Sequence, residues 1–196
     1  MKILYIGVHA HEGWGAEYWM NQAFRDLQID IKLLDYRHER GAKDNQELNH
    51  LITNQSNNCD LIFLQRGDKL SPEIFYNITI PIIFWSTEPL QLKTDVDALL
   101  QSDIFAWIFV HSYSCMNRIQ SNFSHLSDKS SVMHNAAPRE KIIFNNEKNT
   151  FAIFNRNLSW RRKWWLYPSR KMINRISGTY GKKYFNDLQK SKIAIN

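Results

Sequence analysis

Short apolar runs alternate along most of the chain with segments whose apolar residues recur at helical spacing. Residues 2–8 (KILYIGV) are the first such run, bounded by the polar turn His9-Ala10-His11-Glu12-Gly13, which predicts a strand buried on both faces. The spacing then predicts a helix over 14–28 with Ala16, Met20, Ala23, Phe24 and Leu27 on one face, and a second strand over Ile31–Tyr36. A polar surface helix with a weaker apolar stripe is expected over 44–57, and a third strand over Asp60–Gln65, ending at Arg66-Gly67-Asp68. Ser71-Pro72-Glu73 starts a short helix, with Ser as cap and Pro at the first position. A fourth strand over 80–85 (IPIIFW) ends in Ser86-Thr87-Glu88-Pro89. A helix over 91–101 comes next, with Leu92, Val96, Leu99 and Leu100 directed inward. The fifth strand, Phe105–Val110, runs into His111-Ser112, and a helix over 113–123 buries Met116, Ile119 and Phe123 before a sixth strand at 130–134.

Strands and helices alternating at this interval imply right-handed crossovers and an α/β class: a Rossmann-like parallel sheet with helices on both faces. Ligands of such sheets collect beyond the carboxyl ends of the strands. There the chain places His9, His11 and Glu12, then Arg66, Gly67 and Asp68, then Ser86, Thr87 and Glu88, then His111 and Ser112. Four polar clusters at four equivalent positions define a binding crevice more specifically than any one of them. The turn Gly13-Trp14-Gly15 permits close backbone approach to a ligand at a helix N-terminus, but it lacks the full dinucleotide fingerprint.

After Pro138 the character changes. Thr150–Phe154 reads as a strand opening a second unit, 155–159 as a loop, and Ser159 as the cap of an aromatic, basic helix (WRRKWWLYPSRKMI) that Pro168 ends or kinks. A helix over 182–190 and a strand over 191–196 complete the pattern. The predicted organisation is a domain over 1–145 and then an incomplete second Rossmann-like lobe over 146–196.

Charge sharpens this division. The net charge of +6 hides 14 Lys/Arg against 18 Asp/Glu in residues 1–155, and 11 Lys/Arg against Asp187 alone thereafter. The basic character belongs to the tail, and the acidic first domain argues against an extended nucleic-acid track. No apolar run approaches the roughly 20 residues that span a bilayer. The first run also continues straight into Gly, His and Glu without a signal-peptide cleavage site. Cys59 and Cys115 form neither a metal spacing nor a disulfide framework, so both are expected to be reduced packing residues. A cytoplasmic chain is the expectation from these features. His9, His11 and Glu12 lack the Cys partners or helical i,i+4 spacing of a metal site, and no metal or cofactor is expected.

The succession KILYIG, LIFLQRGD, PIIFWSTEP, IFVHS and an Asn-Ala-Ala-Pro segment at 135–138 resembles the amino-terminal half of CgeB-like (spore-maturation-type) glycosyltransferases, which have the two-domain B fold. Ser159-Trp160-Arg161-Arg162, Tyr180-Gly181 and the terminal KIAIN stand in the order of that family's continuation. The resemblance implies sugar transfer from a nucleotide-sugar to an acceptor, with the acceptor on the amino-terminal domain and the donor on the carboxyl-terminal one. Carried over, His9, Gly13, Trp14, Arg66, Asp68, Ser86, Glu88 and His111 are acceptor-side candidates, and His11 or Glu12 is the general base. Asn157, Arg161, Arg162 and Tyr180 are donor-side candidates, the two arginines facing the diphosphate. The second lobe is short for a donor domain, which implies truncation.

Each of these residues also has a plainer role open to it. His9, His11 and Glu12 suit a base beside an acceptor hydroxyl, or are turn residues with Glu12 capping the first helix. Asp68 and Glu88 bind sugar hydroxyls, or are solvated loop ends; His111 is a ligand contact or a strand-end hydrogen-bonding residue. Arg161, Arg162 and Lys163 bind a diphosphate, or with Trp160, Trp164, Trp165 and Tyr167 lie on an anionic membrane surface, or the tryptophans pack and the cations are solvated. The competing functional class is a non-catalytic binding protein, in which a partner chain or a second copy covers apolar surface left by an incomplete lobe.

Overall fold

A strand with parallel neighbours on both sides, in a sheet packed on both faces, must be apolar along its buried length, and KILYIG meets that requirement after Lys2. In the computed structural model of this 196-residue chain it forms β1, Lys2–Gly7, buried from Ile3 onward. The structure describes residues 1–9, 15–92, 94–135, 150–154, 164, 167–168, 171–175 and 190–195. The chain divides into two compact units, Met1–Ala136 and Ala137–Asn196.

In the first unit β1 is succeeded by α1 (Ala16–Asp26), β2 (Asp30–Asp35), α2 (Tyr36–Ala42), α3 (Asn45–Ser56) and β3 (Leu61–Gln65). Then come a 3-10 turn (Pro72–Phe75), β4 (Ile82–Ser86), a second 3-10 turn (Leu90–Leu92), α4 (Asp97–Gln101), β5 (Trp107–Val110) and α5 (Tyr113–Asn122). A third 3-10 turn (Ser124–Lys129) leads into β6 (Ser130–Val132). The six strands are all parallel, in the order β2-β1-β3-β4-β5-β6. The predicted α/β class, with a parallel Rossmann-like sheet, is what the molecule has. Winding reverses where β1 lies between β2 and β3, the arrangement that opens a crevice at the carboxyl edge of such sheets.

Strand alternation sends the two sets of side chains to separate cores. Leu4, Ile6, Ile62, Leu64, Phe84, Ile108 and Val110 join a large cluster with Leu48, Ile52, Leu99, Leu100, Cys115 and Ile119 of the helices. Ile3, Tyr5, Phe63 and Trp85 form a smaller cluster on the opposite face, covered by Met20 and Phe24 of α1. Cys59 and Cys115 are free and buried, as expected of packing residues.

Several local expectations are corrected. Leu27 is exposed rather than inward, because α1 ends at Asp26 and the turn at Gln28 (φ 58) follows, and Ala23, within α1, is exposed as well. Tyr36 does not end β2; it begins the unforeseen helix α2, which Asp35 caps by accepting from the backbone of Arg37 and His38. The weakly striped helix at 44–57 is real, since Asp44 and Glu47 form a reciprocal capping box and Leu48 and Ile52 are buried. The helix expected over 91–101 breaks in two because the backbone between its halves bonds elsewhere. The Asp95 carbonyl accepts from Lys69 N at 3.2 Å, and Asp97 N bonds back to Thr94.

The second unit contains a three-stranded parallel sheet in the order β8-β7-β9, comprising β7 (Thr150–Phe154), β8 (Ile173–Arg175) and β9 (Ser191–Ile195). The strands expected at 150–154 and near 191–196 are present. Ile173, expected at the end of the aromatic helix, instead starts a strand paired with Ala152, because the chain turns at Pro168 and again at Lys171 and Met172. The predicted 182–190 helix lies outside the described residues, apart from its last residue, Lys190, which is in a turn. Removing the capping carboxylate with Asp44→Ala is expected to lower stability by about 1 kcal/mol, read as a shift of the urea midpoint at unchanged slope.

Candidate functional site

The segments that leave β1 and β3 build the crevice. Gly7 ends β1, and a Cβ there would lie 3.2 Å from His9 Cε1 and 3.3 Å from a Tyr5 ring carbon. The absence of a side chain lets the half-buried imidazole fold back over the strand. His9 Nε2 donates to the Tyr5 carbonyl at 3.2 Å, which leaves Nδ1 as the lone-pair nitrogen of the neutral ring. The His9 backbone N–H donates to Asp35 Oδ2 at 2.8 Å, so one carboxylate ties the end of β1 to the start of α2. Burial pushes the His9 pKa below its ordinary value, against opposing pulls from the Tyr5 carbonyl, Asp35 and Glu17. Near neutral pH this ring is an uncharged hydrogen-bonding group and proton acceptor.

β3 ends in a strained turn. The N–H of Gly67 bonds to the Gln65 carbonyl at 3.1 Å, across Arg66 at φ 74. This is a three-residue γ-turn of the rarer hand, and a non-glycine residue in such a region costs on the order of 1–3 kcal/mol. Gly67 comes next at φ 73, and a Cβ there would stand 3.1 Å from Leu99 Cδ1.

The turn places the Arg66 guanidinium among three carboxylates. Nη2 donates to Glu88 Oε1 at 2.8 Å, Nε lies 3.6 Å from Asp68 Oδ2, and Nη1 lies 3.7 Å from Glu17 Oε1. Arg37 of α2 pairs with the same Asp68 oxygen, and the Asp68 backbone N–H donates to the Tyr36 hydroxyl at 3.2 Å. Burial, reinforced by the Asp68 charge, pushes the Tyr36 pKa up to about 12, so the phenol stays protonated. Two guanidinium groups therefore face three carboxylates. The Glu17 and Asp68 side chains are only 10% exposed, against 34% for Glu88, so the network runs from the interior to an open rim.

Its inner end is incompletely hydrogen-bonded. The buried Tyr5 hydroxyl has one proton for two acceptors, the Glu17 carbonyl at 3.3 Å and the closer Gln65 Oε1. Gln65 is 0% exposed and Glu17 7%, yet Gln65 Nε2, Glu17 Oε1 and Arg66 Nε have no hydrogen-bond partner. A buried group without a partner, such as Gln65 Nε2, costs about 1–3 kcal/mol, whereas Glu17 Oε1 and Arg66 Nε face ion-pair partners at 3.7 and 3.6 Å.

The next strand ends form other contacts. The Ser86 hydroxyl donates to the Glu88 carbonyl at 3.2 Å, shaping the loop that delivers Glu88, and Asn135 donates to the Thr87 carbonyl at 3.5 Å. His111 lies apart from the Arg66 network: its Nδ1 is 3.6 Å from Cys115 Sγ, and its carbonyl bonds to His134 Nδ1 at 2.9 Å. Ser112 caps α5, accepting from Cys115 N at 3.4 Å.

Among the predicted site residues, the structure brings Arg66, Asp68 and Glu88 into one network and sets His9 beside it through Tyr5 and Asp35. Asp68 is not a solvated loop end; two arginines neutralise it in a buried position. His11, Glu12, Gly13 and Trp14, and on the basic side Asn157, Arg161, Arg162 and Tyr180, lie outside the described residues. Sequence reasoning missed Glu17, Gln65, Tyr5 and Arg37. The available signals were weak: a Gln closing an otherwise apolar strand, and an acidic residue in the first turn of the helix after β1. Among the described residues no three His, Cys, Asp or Glu side chains gather as a metal site.

No protein-family model and no curated protein matches the sequence. Solved structures do resemble it. One is AviGT4, a glycosyltransferase involved in avilamycin A biosynthesis, with a TM-score of 0.56 and 10% identity, covering 98% of this chain and 68% of that one. Another is a glycosyltransferase from Rickettsia africae ESF-5, with a TM-score of 0.52 and 10% identity, covering 100% of this chain and 72% of that one. The chain thus has a glycosyltransferase-type α/β fold.

Two measurements check the site. The His9 imidazole is expected to titrate below the ordinary value of about 6.5 when monitored by NMR. Because its folded pKa is lowered, the stability associated with the neutral ring is complete above that ordinary value. It declines as pH falls towards the folded pKa, and His9→Gln should flatten that slope. Gly67→Ala is expected to cost about 1–3 kcal/mol through its φ alone, measured by urea unfolding.

Proposed function

We propose that this protein is a glycosyltransferase of the two-domain type, related in organisation to the CgeB-like group, which moves sugar from a nucleotide-sugar to an acceptor. The observation that carries this reading is the Arg66–Glu17–Asp68–Glu88 network at the carboxyl edge of the β1/β3 reversal, with the neutral His9 beside it. The reversal is where a sheet of this topology holds its ligand. The network combines fixed donors and acceptors with buried polar groups whose hydrogen bonds are incomplete.

In this reading the first unit receives the acceptor, with Arg66, Asp68, Glu88 and His9 orienting it, and Ser86, His111, Gly13 and Trp14 remain acceptor-side candidates from the sequence. The proton of the attacking hydroxyl passes to His11 or Glu12, the acid-base candidates that follow His9 in the sequence. Arg161 and Arg162, with Asn157 and Tyr180, hold the donor, and their guanidinium groups stabilise the charge that develops on the leaving diphosphate. Cationic side chains suffice for that stabilisation, so no metal or cofactor is assigned. The likeness to two glycosyltransferases supports the reaction class through fold alone, and one fold hosts many chemistries, so the residues of the crevice carry the greater weight.

Calorimetric titration of the whole chain with UDP, GDP and their sugar conjugates tests this directly. One nucleotide is expected to bind saturably, with affinity at least about tenfold weaker in the Arg161→Ala plus Arg162→Ala variant, the loss of roughly one good ionic contact. With the matching nucleotide-sugar, Arg66→Ala is expected to lower transfer about 100-fold while nucleotide binding persists. Absence of binding to any nucleotide would count against the transferase reading and in favour of a binding protein built on the same fold.

A further inference from the structure

We infer that the amino-terminal edge of the second unit's sheet is a docking surface for an anionic lipid membrane, with Phe151 and Met172 as its apolar contacts and Lys171, Lys190 and Lys192 around them. The register of the strands brings these residues together. Ala152 pairs with Ile173 of β8 and with Ile193 of β9, and Thr150 pairs with Ser191. Side chains alternate between the two faces of a sheet, so Ala152, Ile173 and Ser191 share one face, and all three are buried. One step along the same register, Phe151 stands in a row with Met172, directly before β8, and with Lys192, on the opposite face. That row is open. Phe151 is 49% exposed and Met172 58%, and Lys192 is exposed as well. Lys171 and Lys190, both exposed, stand where the chain enters β8 and β9. The Thr150 N–H donates to the Lys190 carbonyl at 3.0 Å, which holds Lys190 beside the start of β7. Trp164 and Tyr167, also exposed, lie on the segment that leads into β8.

Grouped apolar side chains with a charged rim are the mark of an interaction surface, where single exposed ones are ordinary. Here the rim attracts an anionic partner and the centre requires an apolar one. A bilayer with anionic headgroups offers both, with hydrocarbon for the Phe151 ring and the Met172 thioether and phosphates level with the ammonium groups at the ends of the lysine stems. A nucleic-acid strand offers the phosphates, but its bases stack on aromatic faces, and Met172 has none. The chain supplies little charge of its own to neutralise these lysines, since Asp187 is the only acidic residue after residue 155. The edge is also the one opposite the carboxyl ends of the strands, where ligands of parallel sheets collect. The surface is therefore separate from a ligand crevice of that sheet, and its role does not depend on sugar transfer.

Co-sedimentation of the full chain with lipid vesicles tests the contact. One set is phosphatidylcholine alone, the other phosphatidylcholine and phosphatidylglycerol in equal parts. At low salt the chain is expected to sediment with the anionic vesicles and not with the neutral ones. Release is expected as salt approaches 1 M, where the screening length falls to about 3 Å. Lys190→Gln plus Lys192→Gln, with its fold checked by circular dichroism, is expected to weaken binding at least about tenfold. Met172→Cys carrying an environment-sensitive fluorophore locates the contact, because Cys59 and Cys115 are buried and escape labelling. Its emission is expected to shift to the blue on anionic vesicles. Absence of sedimentation with the anionic vesicles, or equal sedimentation with both sets, would overturn the proposal. Sedimentation without a shift of the fluorophore would do the same, since it puts the contact elsewhere on the chain. A single-stranded oligonucleotide that binds more tightly than the anionic vesicles, and does so less well in the lysine variant, would assign the edge to nucleic acid instead.

Discussion

The position of β1 between β2 and β3 is the constraint on which the first unit depends. A parallel strand bonded on both sides exposes neither edge, so all six residues of KILYIG are committed to the sheet and, from Ile3 on, to its two cores. Because the sheet winds away from β1 in both directions, the segments leaving β1 and β3 diverge, and the polar residues just beyond them border a crevice. Everything proposed for the site depends on that placement. His9 is folded back onto Tyr5, Asp35 fastens the end of β1 to α2, and Arg66 leaves β3 through a turn that commits it to the network.

Around that crevice the chain departs from the rules it obeys elsewhere. The strands are apolar, the helices α2, α3 and α5 are capped by side chains, and hydrophobic side chains fill both faces. Arg66, by contrast, adopts positive φ, Gln65 is buried with its amide nitrogen lacking a hydrogen bond, and the Glu17 carboxylate is buried with Arg66 as an ion-pair partner 3.7 Å away. Strain and unsatisfied polar groups that coincide at one strand end are where local consistency has been given up, and such places in folded proteins are typically functional. The surrounding cores over-determine the geometry and allow it to persist.

The charge of the chain is divided unevenly along its length. The first unit is acidic, and its best-defined polar network holds more carboxylates than guanidinium groups. The lysines and arginines are concentrated after residue 155.

The sequence by itself determined the architecture of the first unit. Apolar runs bounded by polar turns and alternating with helical stripes read as strands of a parallel sheet, and the polar residues after each run as one edge of that sheet. For the same reason Arg66, Asp68 and Glu88 were legible as neighbours at that edge, since each stands just beyond a strand. The remaining features were decided by tertiary contact. The helical stripe that included Leu27 failed because a turn residue ended α1 early, and the helix at 91–101 broke because Asp95 bonded to Lys69 from another loop. Arg37 joined the site only because α2 begins directly after β2 and carries it to Asp68, 31 residues away in sequence. Gln65 and Glu17 read as an ordinary strand end and helix start until folding buried them beside Tyr5. Whether a polar side chain is solvated, paired or left wanting a partner depends on neighbours distant in the chain, and periodicity carries no information about those neighbours.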